Sequence, residues 1–191
     1  MKNSLSVHIE GRSPLLMHNG QLADPMNPIV RAIKNLTSKG KKKTDDDLAE
    51  IARLEWMGGL YVGDDGGPCV PGEVIEAMLK QAAKKTRQGK DADAAIISDG
   101  NWPLIYDGPR DPVALWESKR FYKACSAGIQ KARVWRTRPM FVKWALRFDV
   151  EFMIDVVNRD DVIAWINTAG RLIGLCDWRP KFGRFVVVKV E

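Results

Sequence analysis

The strongest constraint on the fold is the pattern of the last third of the chain, residues 148–191. From Phe148 to Val156, apolar residues alternate with residues that are mostly acidic, as in a strand with one buried face. Asn158 is suited to cap a helix over 160–173, whose apolar residues recur at helical spacing. A loop rich in glycine, aromatic and basic residues then leads to a β-rich segment at 184–190. The pattern predicts a strand, a helix that lies on the sheet, a basic loop and a final strand.

Hydropathy and turn residues divide the rest of the chain into short elements. In order, they predict a strand at Ser4–Glu10, a helical insertion at about 25–57, a hairpin at 60–70, a helix at Glu73–Lys85, a polar loop at 88–93, short strands at 94–98 and 104–106, and a basic hairpin or loop at about 119–140. Without the insertions, the order is β-α-β-β-α-β, which is that of an α+β, ferredoxin-like fold. We therefore expect a single domain at 1–191, in which an antiparallel sheet carries helices on one face and leaves the other face free to bind.

Composition indicates a globular protein without membrane segments. The chain has 191 residues, of which 45% are hydrophobic and 28% charged, and its formal net charge is +6. It has no apolar run long enough to cross a bilayer and no N-terminal secretion signal. We therefore expect a cytoplasmic protein, in a prokaryotic cell or an infected host.

Cysteine and histidine usage predicts neither a disulfide framework nor a metal site. Cys69, Cys125 and Cys176 are odd in number and far apart, and no Cys-x-x-Cys occurs. His8 and His18 lack neighbouring ligands at metal-binding spacing. The sequence also has no phosphate-cradling or dinucleotide-binding motif. We expect no cofactor.

Positive charge is concentrated in one segment. Between Lys119 and Arg147 the chain has nine Lys or Arg residues and no Asp or Glu, with aromatic residues among them. Cationic groups neutralise phosphates and exposed rings stack on unpaired bases, so this combination favours binding of single-stranded nucleic acid. A solvated basic surface around core aromatics is the alternative. The candidate contact residues of this segment and of the C-terminal loop are Lys119, Arg120, Tyr122, Lys123, Lys131, Arg133, Trp135, Arg136, Arg138, Lys143, Trp178, Arg179, Lys181 and Arg184.

Two further basic clusters have structural explanations. The run Lys39–Lys43 is typical of a flexible, solvated loop. Lys80, Lys84, Lys85 and Arg87 gather at the end of the predicted helix, where their charges suit the helix dipole. A polyanion-binding role is an equal alternative for this second cluster.

Three segments, in order along the chain, resemble motifs of a known family. They are Val7–Leu15, which runs from the first strand into Ser-Pro-Leu; Gly67–Lys80, with Pro-Gly at a helix start; and Leu172–Phe185, a glycine-rich loop before the final strand. With these segments the chain resembles RAMP-superfamily proteins, the RRM/RAMP-type ferredoxin-like fold of CRISPR effector subunits, and most of all their backbone subunit. At the helix start, Glu73 and Glu76 stand where the family has a serine and commonly a lysine.

The resemblance implies a non-catalytic protein that binds single-stranded RNA or DNA. It also implies assembly along the strand, as a homo-oligomer or within a multi-subunit ribonucleoprotein, in a CRISPR-like effector or in a phage or other mobile element. One alternative is a protein-interaction module, such as an inhibitor that mimics an effector subunit, because aromatic and Arg side chains also suit a protein interface.

The other alternative is a metal-dependent RNA nuclease. Some members of the family cut RNA with a loop aspartate between the first strand and the Pro-Gly helix, and Asp24 lies in the comparable interval. Ordinary turn chemistry is the competing explanation for Asp24. Asp45–Asp47 could gather a divalent ion, but tandem aspartates at a helix start also serve as partners of the helix dipole.

Overall fold

The computed structural model describes residues 2–129 and 132–191, and at residues 2, 127–129, 132 and 133 it describes the backbone alone. Its strands are β1 Lys2–Gly11, β2 Leu15–Leu16, β3 Cys69–Pro71, β4 Ile96–Ile97, β5 Asn101–Ile105, β6 Tyr122–Ile129, β7 Ala132–Phe141, β8 Ala145–Met153 and β9 Phe185–Val190. Its α-helices are α1 Pro28–Thr37, α2 Asp45–Gly59, α3 Gly72–Ala83, α4 Gly89–Ala95, α5 Pro112–Glu117 and α6 Arg159–Thr168. None of the helices in the described ranges has the length and apolar composition that crossing a bilayer requires.

Six of the described strands form the main sheet, in the order β3-β5-β8-β1-β9, with β4 paired to β8. All of these pairs are antiparallel. The central strand β1 lies between β8 and β9, and α3 and α6 form the two helical connections that the β-α-β-β-α-β order requires. The α+β, ferredoxin-like fold predicted from the sequence is confirmed.

The central strands β1 and β8 bury one face. Leu5 lies opposite Val150 and Val7 lies opposite Phe148, and all four side chains are buried. Directly paired residues of an antiparallel sheet share a face, so both pairs contribute to one core, where each buried side chain stabilises the fold by about 1.5–3 kcal/mol. Helices α3 and α6 supply the other side of this core with Ile75, Met78, Leu79, Val162, Trp165 and Ile166.

The long C-terminal strand lies earlier in the chain than predicted. β8 starts at Ala145 and ends at Met153, whose carbonyl oxygen accepts a hydrogen bond from the Val156 backbone N–H at 3.1 Å. This bond closes a turn. Ile154 and Val156 are therefore exposed, and their predicted place on the buried face of the strand is wrong.

The helix predicted at 160–173 is present, but its last residues form a π-helical turn instead of an α-helix. Asn158 caps α6, because its side chain accepts a hydrogen bond from the Asp161 backbone N–H at 2.8 Å. The α-helix ends at Thr168, and Ala169–Ile173 continues as a π-helical turn. The buried Ile173 still reaches the core through this turn.

Two short helices were not anticipated from the sequence. The polar loop predicted at 88–93 is wrong, because Gly89–Ala95 forms α4, which buries Ala92 and Ala95. A helix of seven residues is too short to show a clear apolar period. α5 was not predicted either, although Asp111 caps it by accepting a hydrogen bond from a backbone N–H of its first turn at 2.8 Å.

The hairpin predicted at 60–70 is present but very short. Val62 pairs with Pro68, and the Cys69 backbone N–H donates to the Tyr61 carbonyl oxygen at 3.1 Å. On its other side, β3 pairs with β5. The strand at the edge of the main sheet therefore comes from the second half of the predicted hairpin alone.

Residues 25–57 contain α1 and α2, which pack on each other, and α2 packs on β7 of the second sheet, β2-β7-β6. Thr44 and Asp47 form a capping box, in which each side chain accepts a hydrogen bond from the other's backbone N–H. The hydrogen bond from Lys39, at 2.6 Å, lowers the pKa of Asp47. The tandem aspartates thus begin a helix, which is the structural explanation given above for them.

The Pro-Gly start of α3 needs glycine because two backbone segments meet there. The backbone N–H of Gly72 donates to the Gly100 carbonyl oxygen at 2.8 Å. A Cβ at Gly72 would lie 1.5 Å from the Ser98 carbonyl oxygen. Ser98 cannot move away freely, since its backbone N–H donates to Glu76 of α3 at 2.8 Å.

The substitution Gly72→Ala should therefore separate α3 from the turn before β5. We expect the free energy of unfolding, measured by urea denaturation, to fall by about 2 kcal/mol or more. Gly20→Ala is the matched control, because a Cβ at Gly20 would meet no atom within 4 Å, and its effect should stay within about 0.5 kcal/mol. Equal stability of the two variants would contradict the close contact at Gly72.

Candidate nucleic-acid interface

One end of the main sheet brings the C-terminal loop, residues 174–184, against the segment that follows β1. The Arg12 backbone N–H donates to the Arg184 carbonyl oxygen at 2.7 Å, and the Gly183 N–H donates to the Pro14 carbonyl oxygen at 2.9 Å. The two ends of the sequence are thus tied together at the point where β1 ends and β9 begins.

The loop has a tight conformation that depends on positive φ angles. Gly174 and Gly183 have φ of +83° and +75°, and a Cβ at Gly183 would lie 2.0 Å from the Leu175 carbonyl oxygen. Cys176 and Trp178 also have positive φ, at 60° and 52°. A non-glycine residue in this region costs about 1–2 kcal/mol, so the surrounding contacts must hold the loop in place. In this conformation Trp178 is 43% exposed.

Cationic groups surround the rings of this loop. The Lys181 Nζ lies 5.5 Å from the centre of the Trp178 ring, and the Phe182 ring lies 5.5 Å from that ring. From β6, the Lys123 Nζ lies 5.8 Å from the centre of the Phe182 ring. The Arg184 Nε donates to a loop carbonyl oxygen at 2.9 Å, which leaves the rest of its guanidinium exposed.

Two further cations lie at the same end of the sheet. Lys143 is exposed in the turn before β8, and the carbonyl oxygen of the next residue, Trp144, accepts a hydrogen bond from Gly11 at 2.9 Å. Arg12 is exposed beside this bond, and sequence reasoning missed it because it lies outside the basic segments. We call this region the loop surface; it consists of Arg12, Lys123, Lys143, Trp178, Arg179, Lys181 and Arg184.

Two of the candidate arginines are engaged in ion pairs. Arg136 pairs with the buried Glu55 of α2, which also accepts a hydrogen bond from the Thr137 backbone N–H at 2.9 Å. Arg138 pairs with Asp177 of the loop. These guanidinium groups hold the β6-β7 hairpin against α2 and against the loop, and their charges are already neutralised.

The other candidate contact residues of the basic segment lie in the β6-β7 hairpin or in the residues just before it. The Lys119 Nζ lies 4.1 Å from the centre of the Trp116 ring, and Tyr122 contacts the same ring at 6.0 Å. Arg120 is 3.8 Å from Asp107, while Trp135 is 66% exposed. Lys131 and the side chain of Arg133 lie outside the described residues.

The outer face of the main sheet was expected to be free to bind. In the described part of β1 and β8, this face has no Phe, Tyr or Trp, and the imidazole of His8 is its one ring. It also carries carboxylates, which repel phosphates. Its side chains include Ser4, Ser6, Glu10, Arg147, Asp149 and Glu151. The loop surface at the end of the sheet therefore suits a polyanion better than the sheet face does.

A cleft of about 640 Å³ separates α1 from β7. Val30 and Ile33 of α1 form its apolar side, and Arg136 and His18 form part of its polar side. No residue of α1, which is described in full, is buried. Burial, followed by the positive charge of Arg138, lowers the pKa of His18. At neutral pH, His18 therefore adds no charge to this cleft.

The described residues offer little for catalysis. Asp24 accepts a hydrogen bond from the Met26 backbone N–H at 2.8 Å, as an aspartate does in a turn. No group of three or more His, Cys, Asp or Glu in the described ranges could hold a metal ion. Burial raises the pKa of Cys69 to about 11 and that of Cys176 to about 12, so both thiols stay protonated at neutral pH.

Known proteins resemble this chain in structure but not in sequence. No family model matches it, and no curated protein matches its sequence. A chain in the cryo-EM structure of the type III-B Cmr-beta bound to cognate target RNA is 10% identical, with a TM-score of 0.54, and the match covers 100% of this chain and 60% of that one. Cmr6 from Pyrococcus furiosus is 8% identical, with a TM-score of 0.41 and coverage of 98% and 99%.

The similarity to the Cmr-beta chain shows the fold of the protein. This chain spans 60% of the length of that neighbour. At the level of the fold, the resemblance to RAMP-type proteins is confirmed.

The ion pair of Glu55 should matter for stability. Glu55→Gln leaves the Arg136 guanidinium without its charge partner, and we expect the free energy of unfolding to fall by about 2 kcal/mol. Glu50→Gln is the control on the same helix, because Glu50 pairs with Arg53 at an exposed position, where such a pair contributes about 0.5 kcal/mol or less. Urea denaturation of both variants compares the two effects. An equal, small loss in both would mean that the hairpin does not depend on this pair.

Proposed function

Since this chain has the fold of RAMP-type subunits, we propose that it is a non-catalytic protein that binds single-stranded nucleic acid, RNA in preference to DNA, at the loop surface. The observation that carries the proposal is the exposed Trp178 ring on a loop with a constrained backbone, with the Lys181 ammonium 5.5 Å from the ring and the exposed Arg184 bonded to the Pro180 carbonyl oxygen of the same loop. In the described part of the chain, neither cation has a carboxylate partner, so both can bind phosphates.

The chemistry of this surface suits an unpaired strand. A base that stacks on an exposed aromatic ring contributes about 1–3 kcal/mol, and it must be unpaired to reach the ring. The cations around the ring neutralise the phosphates on either side of the stacked base. Because the loop conformation is fixed by its backbone, little ordering is needed when the strand binds.

The charge pairing of the hairpin refines the set of contact residues. Arg136 and Arg138 hold the structure together, so we assign phosphate binding to the loop surface and stacking to Trp178, with Trp135 as a second ring. Lys119 and Arg120, which precede the hairpin, are further proposed phosphate contacts. We further propose that residues 1–191 act as one binding domain.

Binding of a strand would also bring several copies of the protein together. A strand longer than one loop surface can bind several copies, so we propose that the protein acts as a homo-oligomer or within a multi-subunit ribonucleoprotein. Its setting would be a CRISPR-like effector, or a phage or other mobile element, and its location the cytoplasm. The structure of type III-B Cmr-beta with cognate target RNA supports this proposal through the shared fold.

Binding of labelled oligomers, measured by fluorescence anisotropy, tests the proposal. Lys181→Gln/Arg184→Gln should weaken binding of single-stranded RNA about tenfold at low salt, and Trp178→Ala should weaken it between about fivefold and 100-fold. The control Lys42→Gln/Lys43→Gln removes the same charge from an exposed loop and should have little effect. Absence of binding to any single strand at low salt would overturn the proposal.

One observation favours a second candidate function, a protein-interaction module. The cleft between α1 and β7 combines the half-exposed Val30 and Ile33 with Arg136, and such a mixture suits a protein partner. The two functions differ in their response to salt. Binding of a strand weakens steeply as salt is added, by a slope of about −0.7 per phosphate contact, whereas binding at an apolar cleft changes little.

The nuclease alternative has a separate test. We expect labelled RNA to stay intact in the presence of Mg²⁺ or Mn²⁺, because the Asp24 carboxylate is bonded to the backbone of its own turn. Gel electrophoresis of the RNA after incubation detects cleavage. Metal-dependent cleavage that disappears in Asp24→Ala would refute the non-catalytic proposal.

A further inference from the structure

A second basic cluster lies at the C-terminal end of α3, far along the chain from the loop surface. Four cations, Lys84, Lys85, Arg87 and Lys90, are exposed there, and Lys80 lies one turn earlier on α3. We call this cluster the α3-end patch. None of its residues belongs to the loop surface, and polyanion binding was one of the two alternatives that the sequence left open for four of them.

The patch surrounds a depression instead of a flat surface. The depression has a volume of about 450 Å³, and Lys80, Lys84, Arg87 and Lys90 line it. Two carboxylates, Asp91 and Asp93, also line it. Lys80 forms an ion pair of 2.6 Å with Asp93. In the described part of the chain, the other three cations have no carboxylate partner within ion-pair distance, so the site retains positive charge.

The backbone conformation of Arg87 is uncommon for a residue other than glycine. Its φ is 63°, in the left-handed region, and its backbone N–H closes the turn after α3 by donating to the Lys84 carbonyl oxygen. Glycine is the residue that takes this position at a helix end at least cost, and an arginine there costs about 1 kcal/mol more. The chain thus carries a charged side chain where the backbone alone would favour glycine.

The neighbouring Gly89 fixes the position of a second cation. A Cβ at Gly89 would lie 2.5 Å from the Lys84 Cγ, so the stem of Lys84 packs directly on the Gly89 backbone. Thr86, between these residues, accepts a hydrogen bond from the Trp165 Nε1 of α6 at 3.2 Å. The backbone under the patch is therefore anchored to both helices of the core layer.

The patch and the loop surface lie at opposite ends of the sheet. α3 and α4 lead into β4, which pairs with Phe152 near the end of β8, whereas the loop surface adjoins Ala145 at the start of β8. β8 has nine residues, which corresponds to a separation of about 30 Å. One short oligomer cannot occupy both sites at once.

We propose that the α3-end patch is a second nucleic-acid site, which binds the phosphodiester backbone without regard to sequence. Cations around a depression neutralise phosphates, and no aromatic residue is among the described residues that line it, so the site has no ring for an unpaired base. It should therefore accept single strands and duplexes alike. The choice of nucleic acid as the ligand rests on the proposed function, but the binding does not require the loop surface.

The structural explanation for these cations is that they stabilise the end of α3 through the helix dipole. The two explanations predict different effects when Arg87 is replaced by glycine. If Arg87 only served stability, Arg87→Gly would be neutral or harmful to the fold. If the Arg87 side chain binds phosphate, Arg87→Gly should weaken binding of nucleic acid. It should also raise the melting temperature, because glycine adopts the left-handed conformation at lower cost than arginine.

The test combines binding and stability in the full chain. Lys84→Gln/Arg87→Gln/Lys90→Gln should weaken binding of a 30-base-pair RNA duplex at least about tenfold at low salt, and it should lower the salt slope by about 2–3. Its control is Lys41→Gln/Lys42→Gln/Lys43→Gln, which removes the same charge from the exposed lysine loop. Arg87→Gly should weaken duplex binding and raise the melting temperature, and an unchanged or lower melting temperature would support the structural explanation.

The outcomes separate this inference from the proposed function. Duplex binding that is unchanged in the patch variant, or weakened equally in the lysine-loop control, overturns the second site. Loss of duplex binding in the patch variant, with single-strand binding still dependent on Trp178, supports both sites. If the Lys181/Arg184 variant leaves single-strand binding intact while the patch variant abolishes it, the loop surface fails and the α3-end patch stands.

Discussion

The structure depends on the one-sided burial of the central strand pair. β1 and β8 bury alternate side chains against α3 and α6, and Val7 opposite Phe148 is at the middle of this contact. A register shift by one residue would turn these side chains to the solvent, so the pairing is strongly specified. With the pair fixed, the connections at its two ends are fixed as well. The loop surface lies at one end and the α3-end patch at the other, and the helices and the acidic sheet face lie between them.

Pairing of charges decides which basic residues are free for a ligand. The longest basic segment without an acidic residue that the sequence analysis identified is 119–147, but two of its arginines are neutralised by Glu55 and Asp177. The cations that remain free in the described chain belong largely to other segments, on the loop surface and at the end of α3. The proposed binding of a strand therefore depends less on the hairpin than the sequence suggests, because Arg136 and Arg138 hold the hairpin against α2 and against the C-terminal loop.

Local patterns predicted the regular elements well, and contacts between distant residues explain what was missed. Asn158 was recognisable as a helix cap and Asp45–Asp47 as a helix start, because both signals depend on neighbours within a few residues. Glu55 and Arg136 are 81 residues apart, so no local pattern indicates their pair. Arg12 joins the loop surface only because β1 ends beside β9. α4 was missed because Gly89 and the polar residues of the helix are typical of a loop, although Ala92 and Ala95 are buried where α4 packs on α3.

The proposed function requires that a single strand contacts the C-terminal loop at the end of the sheet. Ultraviolet cross-linking of the protein to single-stranded RNA, followed by mass spectrometry of the cross-linked peptides, tests it most directly. We expect cross-links at Trp178 and within residues 174–184, since an exposed ring stacked on a base is in position to react. Cross-links confined to the outer face of β1 and β8, with none in the loop, would contradict it.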